Sequence, residues 1–305
     1  MARVLLSGAA GFVGGAVLAR LTALGHDVLT LGRSVPPGVE DGRHLAADLA
    51  EPESVYRHRE ALGQIEAVAH LGGEVPSAAD PVADAPLRSI RVNVAGTVHL
   101  LAALPPLLAG FCYASTADVY GSPAALPIRE DQLPRPATYY AASKLAAEVL
   151  LGVWSARAGV PLAVLRVAHV YGPGDTSAKA IPSFLRACLH GQRPVVRGDG
   201  SDVRDHVYVD DVADAVVRAV EQRAAGVFNI ASGSGTSIRE LLAAVRTATG
   251  CAAEPEWKPA ARPATAIVLD VARARTDLGW APRIGLAEGL RRTAAALAVQ
   301  SPLEP

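Results

Sequence analysis

The chain has 305 residues, 50% of them hydrophobic and 19% charged, with a formal net charge of −1. That length and apolar content suit a large two-lobed domain with a sizeable core. The near-neutral charge argues against a nucleic-acid binder that works by neutralising phosphates. No stretch approaches the ~20 apolar residues that span a bilayer. The apolar start of the chain is broken by Gly8, Gly11, Gly14 and Gly15, unlike a signal peptide. Cys112, Cys188 and Cys251 are far apart and lack metal-ligand spacing. Free thiols in a reducing cytoplasm, and no metal site, are therefore expected.

Val4 to Ser7 reads as a short apolar strand, followed by the turn Gly8-Ala9-Ala10-Gly11-Phe12-Val13-Gly14. A helix comes next, with Val13, Val17, Leu21 and Leu24 on one face. Strand, glycine turn and helix together are the setting of a dinucleotide phosphate site. The first glycine permits the turn, the second admits the pyrophosphate and the third lets helix pack on strand. The helix N-terminus then offers unpaired N–H groups to the anion. Asp27 to Leu31 reads as the second strand. It ends in Gly32-Arg33-Ser34, where a carboxylate would serve a ribose diol. A guanidinium and a hydroxyl suit a 2′-phosphate instead, so the cofactor, NAD or NADP, leans toward NADP.

Arg43 to Ala47 is read as a third strand, ending in Asp48-Leu49, and Glu66 to Leu71 as a fourth, followed by Gly72-Gly73-Glu74. Small residues there let the chain end approach a cofactor. Leu87 to Leu104 reads as a helix. It contains Asn93, either a surface amide or a buried hydrogen-bonding post. Phe111 to Ser115 is the fifth strand, with Thr116 and Asp118 just past its end, where ligands of open α/β sheets bind.

Tyr140 and Lys144 follow on a segment of helical composition, and their i, i+4 spacing stacks them on one face. An ammonium beside a phenol favours the phenolate and readies the tyrosine for proton exchange near neutral pH. Alone, the pair favours the plainer reading of a half-buried tyrosine beside a solvated lysine, because Tyr and Lys four apart are common. Leu162 to Arg166 is the sixth strand. The alternation predicts an α/β fold, a doubly wound parallel sheet of the Rossmann type. After a turn at Val170 to Gly174 come a helix at Ile181 to His190 and a polar loop at Gly198 to Asp205. Strand and helix resume from Val207, Val227 to Ile230 is another core strand, and amphipathic helices cover Ser237 to Thr249 and Leu286 to Leu297. Ala252 to Ala266 reads as a surface connection. The expected division is a dinucleotide-binding domain, 1–171 with 207–230 returning to it, and a smaller C-terminal substrate-binding lobe, 172–206 and 231–305.

Several motifs stand in a fixed order: the glycine turn, Asn93-Val94-Ala95-Gly96-Thr97, Ser115-Thr116 before Val119-Tyr120-Gly121, and Tyr140 with Lys144. Arg166 to Pro173, Arg204 to Asp211 and Leu278-Gly279-Trp280 follow. In this order the chain resembles the extended short-chain dehydrogenase/reductase enzymes, in particular the nucleotide-sugar epimerase/dehydratase group, nearly end to end. The resemblance implies that Tyr140 is the acid/base at a sugar hydroxyl or ketone. Lys144 would lower its pKa and hold the nicotinamide ribose, and Thr116 would bond the reacting oxygen. Cofactor contacts are expected from Gly8, Gly11, Phe12, Val13, Gly14, Arg33, Ser34, Asp48, Leu49, Leu71, Gly72, Gly73, Asn93, Tyr140 and Lys144. Substrate contacts are expected from Glu74, Thr116, Asp118, Tyr140, His169, Arg204 and Arg262, the two arginines toward a nucleotide diphosphate.

The sequence departs from the family pattern at three places. His169 stands where many relatives have asparagine, and Thr265 where some epimerases have an aspartate. Ala117 stands where 4,6-dehydratases carry the acid that assists water loss. The expected activity is an NAD(P)-dependent nucleotide-sugar 4-epimerase in a cytoplasmic homodimer. The alternative is an NADPH-dependent ketoreductase of nucleotide-linked 4-keto-6-deoxy sugars, with dehydration ranked below both. From another class comes a cofactor-binding protein that has lost its chemistry.

Overall fold

The computed structural model describes residues 1–75, 85–123, 125–260 and 263–300. Among these, seven strands form one sheet in the order Gly226–Ile230, Leu162–Val167, Gly110–Thr116, Ala67–His70, Arg3–Ser7, Asp27–Gly32 and His44–Ala46. Every pairing in it is parallel. Strands buried on both faces need unbroken apolar runs, and Val4-Leu5-Leu6 and Ala67-Val68-Ala69 supply them. The helices Phe12–Ala23 and Val209–Glu221 cover one face through Val17, Leu21, Val212 and Val216. Gly96–Ala103 and Tyr139–Ala158 cover the other through Leu100, Ala103, Ala147 and Leu151. The chain runs outward from Arg3–Ser7 to His44–Ala46, then returns to Ala67–His70 on the opposite side of the first strand. That reversal opens a crevice at the strand ends.

A second, four-stranded sheet is built around Val203–Tyr208, which pairs with His169–Tyr171, Gly235–Ser237 and Ala266–Ile267. The helices Ala180–Leu189, Ile238–Thr249 and Leu286–Gln300 enclose its apolar core with Phe184, Leu185, Leu241 and Leu290. Ser237 and Glu240 form a reciprocal capping box at the start of the second of these helices.

The differences from the sequence reading fall where pairing is remote. The polar loop expected at 198–205 gives way to strand from Val203, held by contacts distant in sequence. Asp205 accepts hydrogen bonds from Ser232 N, Gly233 N and Leu269 N at 2.8–3.2 Å. The strand at 203–208 therefore belongs to the smaller sheet, and only the helix at 209–221 and the strand at 226–230 join the larger one. The expected turn at 170–174 begins as the strand His169–Tyr171. Within the expected connection 252–266, Glu256–Lys258 pairs with Val195–Arg197. The helix expected over 87–104 is three pieces, Ala85–Ser89, a π-helical turn at Ile90–Ala95 that carries Asn93, and Gly96–Ala103. Leu24 caps the first long helix and is 42% exposed instead of facing the core.

One buried ion pair ties the Tyr140 helix to the sheet. Arg166 donates to Glu148 from Nε at 3.2–3.3 Å and from Nη2 at 2.8 Å, and Ser115 also donates to Glu148. Both side chains are under a tenth exposed. Removing one partner strands a buried charge, so Glu148→Ala should lower unfolding stability by ~3–5 kcal/mol. Replacing both partners by apolar residues of similar volume should cost clearly less, as read from urea midpoints.

Candidate active site

The crevice is one groove in three adjoining sections of about 330, 360 and 220 Å³. Its first wall is the glycine turn. Gly8 has φ +77°, and a Cβ there would lie 2.6 Å from Gly72 N. A Cβ on Gly14 would lie 2.0 Å from the Gly8 carbonyl oxygen, so glycine alone lets the helix sit this close. The helix behind the turn has no acidic residue in its first turn, and its N-cap Gly11 has no side chain to occupy the N–H groups. This cradle fits the pyrophosphate of a dinucleotide.

All but one of the sequence-predicted cofactor residues line the groove. Gly8, Gly11, Arg33, Ser34, Asp48, Leu49, Leu71, Gly72 and Gly73 border the first section, with Glu74. Arg33 and Ser34 are exposed at the rim. Phe12, Val13, Gly14, Tyr140 and Lys144 border the middle section together with Thr116, Asp118 and His169. Asn93 lines neither section. It is buried behind the wall, accepting from Glu74 N at 2.7 Å and donating to Glu74 O at 3.0 Å and Ser143 Oγ at 2.9 Å. Of the two alternatives, the buried post is the one observed. Arg204 and His169 border the third section. Glu74 lies at the other end of the groove and pairs with Arg88, away from Arg204. Arg262 falls outside the described residues.

Tyr140 and Lys144 occupy the first turns of Tyr139–Ala158, a helix started by Thr138, whose hydroxyl accepts from Ala141 N at 3.1 Å. The electrostatics differ from the expectation that Lys144 lowers the tyrosine pKa. Burial pushes Tyr140 up to about 12, the charge of Asp118 adds to this, and a hydrogen bond with Thr116 opposes it. Lys144 is buried with its Nζ 4.2 Å from the centre of the Tyr113 ring. Burial lowers its pKa to about 7, opposed by Glu148. Desolvation in the concave wall raises Asp118, opposed by Lys179, Arg204 and Thr116. Its exposed edge lets solvent screen that shift.

Lys179 borders both the middle and third sections, and His206 joins His169 in the third. Neither was anticipated. Lys179 immediately precedes the helix Ala180–Leu189, a position readable in sequence only once that helix start is known. His169 Nδ1 and His206 Nε2 are buried without a partner among the described residues. Burial, with Lys179 and Arg204 nearby, lowers His169 to about 4, and burial with His169 and the same cations lowers His206 to about 3. Arg204 is oriented by Thr265 O and Thr265 Oγ1 at 2.8 and 2.9 Å and by Asp202 at 3.2 Å. The third section thus brings Lys179 and Arg204 together with Asp175, Asp202 and two imidazoles, charges of both signs with hydrogen-bonding groups among them.

A doubly wound sheet, a glycine phosphate cradle and a tyrosine–lysine pair at the neighbouring strand end define a Rossmann-type enzyme that works with a nicotinamide dinucleotide. Residues 4–231 match the model of the NAD dependent epimerase/dehydratase family, and the chain belongs to that family. It is 38% identical to UDP-glucose 4-epimerase of Mycolicibacterium smegmatis, over 95% of this chain and 97% of that one. The fold superposes on UDP-glucose 4-epimerase of Thermus thermophilus in complex with NAD, with TM-score 0.83, 31% identity and coverage of 96% and 98%. It also superposes on RMD of Pseudomonas aeruginosa complexed with NADPH, with TM-score 0.84, 30% identity and coverage of 99% and 100%. The protein is an NAD(P)-dependent enzyme of the extended short-chain dehydrogenase/reductase type. Among the described residues no helix is long and apolar enough to cross a membrane, and no cluster could hold a metal ion.

The Lys144 shift has a stability consequence with a definite sign. The native chain sheds this proton near pH 7, whereas the ordinary value for the same group is 10.5. The unfolded state therefore binds more protons across that window, and this group makes the fold more stable as pH rises from about 7 to about 10.5. Lys144→Met should remove that rise, so the parent-minus-variant difference in urea midpoint should increase from pH 7 to pH 9. A difference independent of pH would place the ammonium in a solvated setting instead.

Proposed function

We propose that the protein is a nucleotide-sugar 4-epimerase acting on a UDP-linked hexose. The observation that carries this reading is the meeting of Thr116, Tyr140 and Lys144 in the middle of the groove, with Lys179 and Arg204 on the substrate side. Similarity to UDP-glucose 4-epimerases over nearly the whole chain supports the choice of sugar nucleotide. The nicotinamide, when bound, supplies the acceptor and donor for hydride at sugar carbon 4. Tyr140 takes the proton from the carbon-4 hydroxyl and returns it to the ketone oxygen, while Thr116 bonds that oxygen. Lys144, charged when an anionic cofactor and a phenolate stand beside it, favours the phenolate that the unliganded site disfavours. Arg204 and Lys179 receive the diphosphate, and the smaller lobe holds the nucleotide. Ala117 is buried and brings no acid to the site, so water elimination lacks its proton donor.

A second reading, an NADPH-dependent ketoreductase, is favoured by Arg33, which is exposed at the rim of the first section where a 2′-phosphate would lie. The test is incubation with UDP-glucose and NAD, and separately with a nucleotide-linked 4-keto-6-deoxy sugar and NADPH. Interconversion of UDP-glucose and UDP-galactose without net change at 340 nm is expected. Stoichiometric NADPH loss with the keto sugar alone would reject the epimerase. Tyr140→Phe should lower turnover by about 10²–10⁴ while leaving cofactor binding in place.

A homodimer in the cytoplasm completes the reading. Its free cysteines fit a reducing compartment. Ile90 and Val98 on the 85–103 segment and Val149, Leu150 and Val153 on the adjacent Tyr140 helix are exposed apolar residues, 39–61% accessible. A second copy would cover this face. Light scattering should give twice the 31.5 kDa chain mass, and Val149→Glu with Val153→Glu should give the monomer.

A further inference from the structure

Behind the cofactor groove lies a buried polar chain in which every proton position can be assigned. Thr97 Oγ1 lies 2.7 Å from the Asn93 carbonyl oxygen, which can only accept. The single hydroxyl proton of Thr97 is therefore committed there. His70 Nε2 lies 3.0 Å from the same Thr97 oxygen, so the imidazole must donate from Nε2. His70 is completely buried, and burial, with Lys144 nearby, keeps it neutral. A neutral ring that carries its proton on Nε2 has a bare Nδ1. Ser7 Oγ lies 2.6 Å from that Nδ1 and must donate to it. Its lone pair then accepts the Gly72 N–H at 3.0 Å.

The direction runs without conflict from Gly72 N–H through Ser7 to His70, and from His70 through Thr97 to the Asn93 backbone. The Asn93 side chain continues it, donating to Ser143, whose hydroxyl donates to the Tyr140 carbonyl at 2.8 Å. Five elements are joined: the first strand, the fourth strand with its glycine end, the Asn93 turn, the helix Gly96–Ala103 that carries Thr97, and the Tyr140 helix.

We propose that His70 is a positioning residue, fixed as the Nε2–H tautomer, that ties the Gly72–Gly73 wall of the cofactor groove to the helix carrying Tyr140 and Lys144. It touches neither ligand; it acts through Ser7 on one side and Thr97 on the other. The reversed tautomer breaks the chain. With the proton on Nδ1, Ser7 would receive two donors and its own proton would lose its acceptor, while Thr97 would face a bare nitrogen with no proton to give. The inference rests on the cofactor reading of the groove and on nothing about the sugar.

Two-bond ¹H–¹⁵N spectra of the full-length protein identify the tautomer, with His70→Gln used only to assign the signal. The expected result is the Nε2–H form, unchanged between pH 5 and pH 8. Thr97→Val keeps the shape and removes the acceptor for Nε2–H. It should move the ring toward Nδ1–H and weaken binding of NAD and NADPH by equilibrium dialysis roughly three- to tenfold, the size of one buried hydrogen bond. Thr97→Ser should restore both. An Nδ1–H or doubly protonated His70 in the parent overturns the proposal. So does a Thr97→Val protein with the tautomer changed and cofactor affinity intact. If Thr97→Val does not fold, the parent spectrum and Ser7→Ala, which should weaken cofactor binding comparably, decide the matter. Dialysis needs no turnover, so a chain that binds cofactor but epimerises no sugar would sink the proposed function and leave this inference standing.

Discussion

Close backbone approach at the head of the first strand is the constraint on which the rest of the molecule depends. Gly8 packs against Gly72, and Gly14 packs against the Gly8 carbonyl, at separations that exclude any side chain. The first helix can therefore press onto the sheet with its N-terminus aimed into the crevice. The parallel sheet needs both faces covered, and the reversal of strand order leaves the crevice at the one place where no helix crosses. Phosphate cradle and crevice coincide because both follow from the same packing. What lies deeper is polar by necessity. The strand ends expose backbone N–H groups, and Ser7 and Asn93 satisfy those of Gly72 and Glu74 from behind, leaving the groove side open.

The same burial that builds the groove sets its electrostatics. Tyr140 without ligand is a weaker acid than free tyrosine, because desolvation and Asp118 outweigh the Thr116 hydrogen bond. Lys144 is correspondingly a weaker base, its ammonium stacked on Tyr113. Burial thus disfavours the charged form of both groups. On the proposed mechanism, an anionic cofactor beside Lys144 would restore its ammonium, and the ammonium would in turn favour the phenolate. The His169–His206 pair follows the same logic at the other end. Burial keeps both rings neutral, Lys179 and Arg204 add to it, and a bound dianion would offset the contribution of those two cations.

The nucleotide fold was legible because its signals are local. The glycine turn, the short apolar strands and the i, i+4 pair at Tyr140 and Lys144 each declare themselves within about ten residues, and the structure has them within one or two positions of where the periodicity puts them. The smaller lobe was less legible because its strands are two to six residues long and pair with partners far away in sequence. Val203-Arg204-Asp205 reads as loop by composition and becomes strand through contacts 27 and 64 residues away. The groove-lining cofactor residues were named from motif and place. His70, Thr97, Ser143 and Lys179 were not, since a buried histidine in an apolar strand has no periodic signature and its partners Ser7 and Thr97 arrive from two other elements.

The two functional readings share everything between the ends of the groove. Hydride transfer at a carbinol carbon needs one proton moved at its oxygen, whether the hydride later returns or not, and Thr116, Tyr140 and Lys144 serve both. The readings would separate at Arg33, at the rim of the first section, and at His169, Lys179 and Arg204, which border the third. An epimerase must hold a keto sugar long enough for it to present its other face, so it needs a firm grip on the diphosphate and a loose one on the sugar ring. On the proposed reading, Lys179 and Arg204 in the third section would supply that grip. In the third section Lys179 and Arg204 stand among Asp175, Asp202 and two imidazoles with unused nitrogens, while the middle section carries Thr116, Asp118, Tyr140 and Lys144 alongside Ala114, Ala117, Val167 and Ala168. The ranking of epimerisation above reduction rests instead on the similarity to UDP-glucose 4-epimerases over nearly the whole chain.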